Sequence, residues 1–147
     1  MVDRSDLIGA WRLVSFEMRD EDGNVTYPYG PDAVGYILYS DDGYVAVEMM
    51  AANRAPFADG DTLGGTDAER ASAAATYRSY CARWEWLGDR VRHHFLTSLY
   101  PNRTGTTEER YVEYHDGGNR MTLSTAPQRS GGKARRNSLV WERVASQ

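Results

Sequence analysis

The chain has 147 residues, with 17 Lys+Arg against 21 Asp+Glu and a formal net charge of -4. That balance gives no electrostatic drive toward nucleic acid or an anionic membrane, and no apolar run approaches the ~20 residues needed to cross a bilayer. The single cysteine, Cys81, excludes an intramolecular disulfide framework and any multi-cysteine zinc site.

One domain over residues 1–147 is expected. A polar start without a signal-like apolar stretch, together with one cysteine, fits a reducing cytoplasm. The first strand is expected over 9–19, followed by Asp22-Gly23 and a short extended piece near 24–29 that Pro28 confines to an edge or bulge. Strands over 35–40 and 44–50 flank Asp42-Gly43. A loop, Ala51 to Gly65, rich in Gly, Asp and Pro, leads to the one predicted helix. Its start is a capping box, Thr66-Asp67-Ala68-Glu69. The alanine run Ala71 to Ala75 continues it, with Ala73, Tyr77 and Tyr80 on one face. Further strands are expected over 81–87, 90–100, 106–115, 119–126 and 135–144. Gly88-Asp89, Pro101 to Gly105 and Asp116-Gly117 supply the turns, and Gln128 to Lys133 reads as a polar loop.

About eight or nine antiparallel strands in sequence, joined by short turns, predict an all-β, up-and-down antiparallel barrel. The loop and helix would cover one mouth, and a barrel of this size is wide enough to hold one small ligand. A two-sheet sandwich would need Greek-key crossovers, which the short turns disfavour. Ten Tyr, four Trp and three Phe in a chain of mean hydropathy -0.64 point to wet-edged surfaces or a lined pocket.

Four ionisable residues are candidates for chemistry. His93 and His94 are adjacent on a strand, so their side chains point to opposite faces and cannot share a metal ion. The set Val91, His93, Phe95, Thr97, Leu99 is more apolar than its neighbour, which favours His93 as the inward residue. An inward His is either a general acid or base or a buried residue bonded to a strand neighbour. Arg110, if inward, would need an anion such as a carboxylate or enolate; if outward, it pairs with Glu108, Glu109 or Glu85. Glu48 is a potential base if inward and a solvated strand residue if not. Tyr36, Tyr39, Trp84, Trp86, Phe95 and Trp141 recur at period two on separate strands, as ligand-stacking surface or plain core. Arg129, Lys133, Arg135 and Arg136 form a basic cluster, read as a solvated loop or as an attractor for an acidic ligand. Nucleophile elbows and phosphate-cradling loops are absent.

Gly9-Ala10-Trp11 on a first strand and Trp141-Glu142-Arg143 at the close resemble the G-x-W and terminal Arg of lipocalin-type barrels. Residues Leu7 to Phe16 resemble the start of the small bacterial and fungal lipocalin-like domain family. So do Tyr27-Pro28-Tyr29-Gly30, Gly35 to Tyr39 with Asp42-Gly43-Tyr44, His93-His94 with Pro101-Asn102 and Gly105, and Leu123-Ser124-Thr125. The sequence departs from the family pattern at Leu96, where an acidic residue is common, and at Arg103, where an aromatic is usual.

The resemblance implies a short barrel with an interior cavity, and relatives in natural-product pathways that look like cyclases or isomerases. On that reading the cavity binds a small hydrophobic, carbonyl-bearing metabolite. Either it catalyses cyclisation or isomerisation, with His93, His94, Arg110 and Glu48 as candidates, or it stores and carries the ligand; a third reading, a structural or partner-binding barrel with a filled interior, would be favoured by a cavity below the ~300 Å³ scale of ligand pockets. No cofactor, metal, nucleic acid or membrane is expected as a partner, and a homodimer is left open.

Overall fold

Strand formers and turn glycines alternate along the chain. The computed structural model, which describes residues 2–145, arranges them as ten strands and two short α-helices. The strands are β1 (Gly9–Asp20), β2 (Val25–Thr26), β3 (Val34–Tyr39), β4 (Tyr44–Met50), β5 (Tyr77–Trp86), β6 (Arg90–Ser98), β7 (Thr107–His115), β8 (Arg120–Ser124), β9 (Gln128–Ser130) and β10 (Lys133–Arg143). The helices are α1 (Arg4–Leu7) and α2 (Asp67–Ala75). All the paired strands run antiparallel, in the order β1-β3-β4-β5-β6-β7-β8-β10. The sheet closes where β10 returns to β1, with Trp11 opposite Arg143 and Asp20 opposite Arg135. The short strands β2 and β9 extend β1 and β10 beyond this eight-strand tube.

Period-two alternation sets the inside. In β3, Gly35, Ile37 and Tyr39 are buried and their neighbours exposed; in β4, Val45, Val47 and Met49 are buried. Hairpins connect them where glycine permits a positive φ. Gly43 sits at φ 96° and closes the β3–β4 turn by donating to the Ser40 carbonyl at 3.2 Å.

One end is sealed by the first and last strands. Leu7 is fully buried beneath α1, and Trp11 Nε1 donates to its carbonyl at 3.0 Å. The Arg143 guanidinium lies 4.1 Å from the centre of the Trp11 ring and donates to the carbonyls of Ile8 (3.1 Å) and Asp6 (2.6 Å). Gly9 makes the corner between α1 and β1 at φ 125°, a conformation L side chains rarely adopt. The spacing Gly9-x-Trp11 is therefore a steric and packing requirement of this seal.

The other end carries α2, held at its margins. Thr66 Oγ1 accepts from the Glu69 amide (3.1 Å) and Glu69 Oε1 accepts from the Thr66 amide (2.9 Å), so the expected capping box is formed. Arg54 donates to Thr76 Oγ1 and to the Ala73 carbonyl, tying the preceding loop to the end of the helix. No residue of α2 is fully buried; the helix lies over the mouth without plugging it.

Three expectations need correction. The helix ends at Ala75, and Tyr77 and Tyr80 belong to β5, which begins four residues earlier than expected. Backbone pairing with β4, from Met50↔Tyr77 to Tyr44↔Arg83, outweighs the helical spacing of the two tyrosines. In β6 the inward set stops at Phe95, because a bulge leaves Leu96 without a partner on β5 and turns Thr97 and Leu99 outward. Residues 128–133 form the β9–β10 hairpin and not an irregular loop.

The lumen is also fuller than expected. Trp11, Phe16, Trp84, Phe95 and Trp141 are buried within it, and Tyr39 packs edge-on to Trp84 (4.9 Å between centres), as Tyr80 does to Phe95 (4.8 Å). The remaining interior void is about 20 Å³, room for about one water and far below the ~300 Å³ of a ligand pocket. Of the two readings of Tyr39, Trp84, Phe95 and Trp141, ligand-stacking surface or plain core, their packing is that of core.

Replacing Arg143 with Met is expected to lower unfolding free energy by about 2 kcal/mol, through two lost charged hydrogen bonds and the stacked cation. Urea unfolding measures it. Arg143→Lys should recover little, because a point charge cannot reach both carbonyls and the indole face together.

Candidate functional site

Alternation along β6 and β7 brings His93 and Arg110 inside the barrel, where they are 1% and 7% exposed. His93 is held between two phenols. Its Nε2 lies 2.8 Å from the Tyr39 hydroxyl on β3, and its Nδ1 lies 3.1 Å from the Tyr80 hydroxyl on β5. Burial, reinforced by the Arg110 charge, holds His93 well below its ordinary value of 6.5, so the ring is neutral. A neutral imidazole has one N–H and one lone pair. One tyrosine therefore donates to the ring and the other accepts from it; a proton can pass along this chain only if one enters at one phenol as another leaves at the other. Burial raises both phenols above the usual tyrosine value, Tyr39 strongly; at Tyr80 the Arg110 charge opposes the rise.

Arg110 is anchored by Glu108. Its Nη2 donates to Glu108 Oε2 at 2.5 Å, and its Nη1 donates to the Glu109 carbonyl at 3.2 Å. Burial is the largest single influence on the Glu108 carboxyl and would raise it; the charge and hydrogen bond of Arg110, with the Arg103 and Arg78 charges, together outweigh burial and hold the group below its usual range. The same pair therefore combines an inward Arg with a partner that had been expected only on the outer face.

The structure separates the other candidates from this cluster. His94 faces outward, with Nε2 2.7 Å from Glu85 Oε1 and Nδ1 3.0 Å from Thr107 Oγ1. Glu48 is exposed and accepts from the Tyr77 hydroxyl (2.8 Å) and Ser79 Oγ (2.9 Å). Tyr36 is 45% exposed on the outer face. Each stands one residue out of phase with a buried neighbour, so strand geometry turns it from the lumen. Tyr39, Trp84, Phe95 and Trp141 are buried inside, and Trp86 packs partly buried at the sealed end. The basic cluster lies on the β9–β10 hairpin, where Lys133 pairs with Asp20 and Asp22. Among the described residues, no three His, Cys, Asp or Glu side chains are placed to hold a metal ion.

Space of ligand size lies at the mouth. A groove of about 610 Å³ runs between α2 and the ends of β5 and β6, lined by Phe57, Ala73, Ala74, Tyr77, Tyr80 and Leu99 among others. A second groove of about 610 Å³ lies on the other side of Tyr77, between Tyr29, Ala71, Arg78, Tyr100 and Arg103. Tyr80 borders both the first groove and the interior void, and Arg78 borders the second groove and the void. These two side chains connect the mouth to His93 and Arg110. They went unrecognised in the sequence because β5 was expected to start at 81. With β5 beginning at Tyr77, the alternation Arg78, Tyr80, Ala82, Trp84 marks both as inward.

The depressed His93 has a consequence for stability. Below about pH 6.5 the unfolded chain takes up a proton at residue 93 that the folded protein does not, so stability falls as pH drops from about 6.5 toward 5. The slope contributed is at most about 1.4 kcal/mol per pH unit. Thermal melting between pH 7 and 5 is expected to show this decline in the wild type and a shallower one in His93→Gln.

Comparison with known proteins agrees with this geometry. Residues 8–144 match the profile of the lipocalin-like domain family. A relative from Aspergillus oryzae, the 4'-hydroxy-3'-methoxypropiophenone carrier protein ppsC, is 37% identical over 91 residues, covering 56% of this chain and 80% of the relative. A lipocalin-like protein from Bacteroides uniformis shares the fold at 10% identity and a TM-score of 0.50, covering 95% of this chain and 99% of its own. An uncharacterized protein from Bacteroides eggerthii is 14% identical with a TM-score of 0.47, covering 94% and 99%. With β1 and β10 closing the tube and the match running almost from end to end, the chain belongs to the lipocalin-like domain family.

Proposed function

We propose that this barrel binds a small apolar, carbonyl-bearing metabolite at its α2-covered mouth and carries it, without a cofactor, within a cytoplasmic biosynthetic sequence. The observation that carries this reading is the groove of about 610 Å³ beneath α2, a volume in the range of small-molecule sites. Its walls combine apolar surface from Phe57, Ala73, Ala74 and Leu99 with the hydroxyl-bearing rings of Tyr77 and Tyr80. Such rings offer a flat apolar face and a polar edge to a carbonyl compound. The name of the Aspergillus relative, a carrier of an aryl ketone, supports the same ligand class.

A second reading, cofactor-independent cyclisation or isomerisation, rests on the Tyr39–His93–Tyr80 chain. Tyr80 stands between the groove and a proton relay. From there it would give its proton to a ligand carbonyl oxygen and, as the phenolate hydrogen-bonded by His93, take the proton from the carbon beside that carbonyl, so that Tyr80 ends as it began. Arg110 would favour the negative charge that develops on an enolate. Glu48 and His94, facing outward, have no part in this version.

Titration with 4'-hydroxy-3'-methoxypropiophenone, followed by tyrosine and tryptophan fluorescence, is expected to show saturable binding. Ala74→Trp, which fills the groove from an exposed helix position, should weaken it at least about tenfold with little change in melting temperature. Equal binding by both proteins would place the ligand elsewhere. Incubation with carbonyl-bearing precursors, followed by chromatography and mass analysis, separates the readings. Recovery of unchanged ligand supports carriage, and conversion lost in Tyr80→Phe supports catalysis.

A further inference from the structure

Three arginines from three elements converge at the upper end of the lumen: Arg78 on β5, Arg103 on the turn after β6, and Arg110 on β7. Glu108 serves two of them. It accepts from Arg110 at 2.5 Å, and its Oε1 lies 4.0 Å from Arg103 Nε. Among the described residues, no hydrogen bond or ion pair of the structure reaches the Arg78 guanidinium, which lies 5.4 Å from the centre of the Phe16 ring. Burial, together with the Arg103 charge, pulls Arg78 below its usual value.

Two further donors are orphaned in the same region. Arg103 Nε is buried without an acceptor in the wall of the second mouth groove. Trp141 Nε1 is also buried without one, in a residue 1% exposed that lines the interior void with Arg78 and Arg110. Unanswered buried donors and a desolvated cation are costly. A single water in the 20 Å³ void would satisfy an N–H but would not balance the charge.

We propose that the neck joining the second mouth groove to the void is an oxyanion site, in which Arg78 receives the carboxylate of a small apolar acid. The ligand's body would lie between Tyr29, Tyr100 and the alanines of α2. The planar fork of a free guanidinium matches a carboxylate in two parallel hydrogen bonds. Arg103 and Arg110 add positive potential from either side, and an oxygen reaching the void meets the Trp141 N–H. This rests on the apolar-ligand reading above and extends it across Tyr77 to the second groove, by giving the metabolite bound there a carboxylate.

Cinnamate and cinnamamide, nearly equal in shape and differing in charge, test it by calorimetry at pH 7. The wild type is expected to bind cinnamate at least about tenfold more tightly than the amide. Arg78→Met should abolish that preference while leaving amide binding within about twofold, and Arg78→Lys should keep part of it. Ligand-free Arg78→Met should melt no lower than the wild type, since it removes a half-buried charge that has no ion-pair partner among the described residues. Equal affinities for the two probes in the wild type would overturn the oxyanion site while leaving the apolar groove standing. Failure of both probes to bind would overturn the two together. A preference unchanged in Arg78→Met, or a marked drop in its melting temperature, would show Arg78 to be a structural residue and overturn the proposal.

Discussion

Closure of the sheet through β1 and β10 is the constraint on which the rest depends. Once Trp11 to Asp20 pairs with Arg143 to Arg135, the barrel has no open long edge, and its core is reached only by side chains at alternate strand positions. An eight-strand tube leaves little room. Seven aromatic rings occupy it here, so the interior behaves as a packed core. Any polar group admitted must find its partner among the few others inside. His93 does so with Tyr39 and Tyr80, and Arg110 does so with Glu108.

The two ends of the tube then differ in kind. At the sealed end, α1, Trp11 and Arg143 satisfy one another, with a cation on an indole face and carbonyls accepting from both the guanidinium and the indole. At the mouth, α2 is secured by Arg54, Arg70 and Glu69 through its margins, while its alanines stay unburied. Grooves of ligand size open beneath a helix of small side chains, Arg78 and Arg103 stand at the same end, and the orphaned Trp141 N–H belongs to a residue lining the void within. Stability is concentrated where the strands begin and finish, and incomplete satisfaction where a ligand would enter, a division common to folds that must bind.

This arrangement shapes the chemistry available. A neutral imidazole held between two phenols is hydrogen-bonded at both nitrogens without carrying a charge, which suits a site crowded with guanidinium groups. The outward His94 and the exposed Glu48 show the reverse case: the same residue types, one position out of phase, bind Glu85 or Tyr77 at the surface. Position on the strand, more than residue type, separates a buried relay from an ordinary surface contact.

The sequence alone determined the barrel. Regular Asp-Gly and Gly-Asp turns, short alternating strands and the Gly9-x-Trp11 motif are local signals, and each acts over a few residues; Arg143 as the partner of Trp11 comes from the family resemblance. His93 could be placed inside because alternation holds over the run from Val91 to Phe95. Only the tertiary structure decided where β5 begins, because pairing with β4 overrode the helical spacing of Tyr77 and Tyr80, and that start turns Arg78 and Tyr80 inward. It alone decided that the lumen is filled and the ligand-sized space lies at the mouth. Whether rings from five strands meet or leave a gap depends on their sizes together at long range, which no local pattern records.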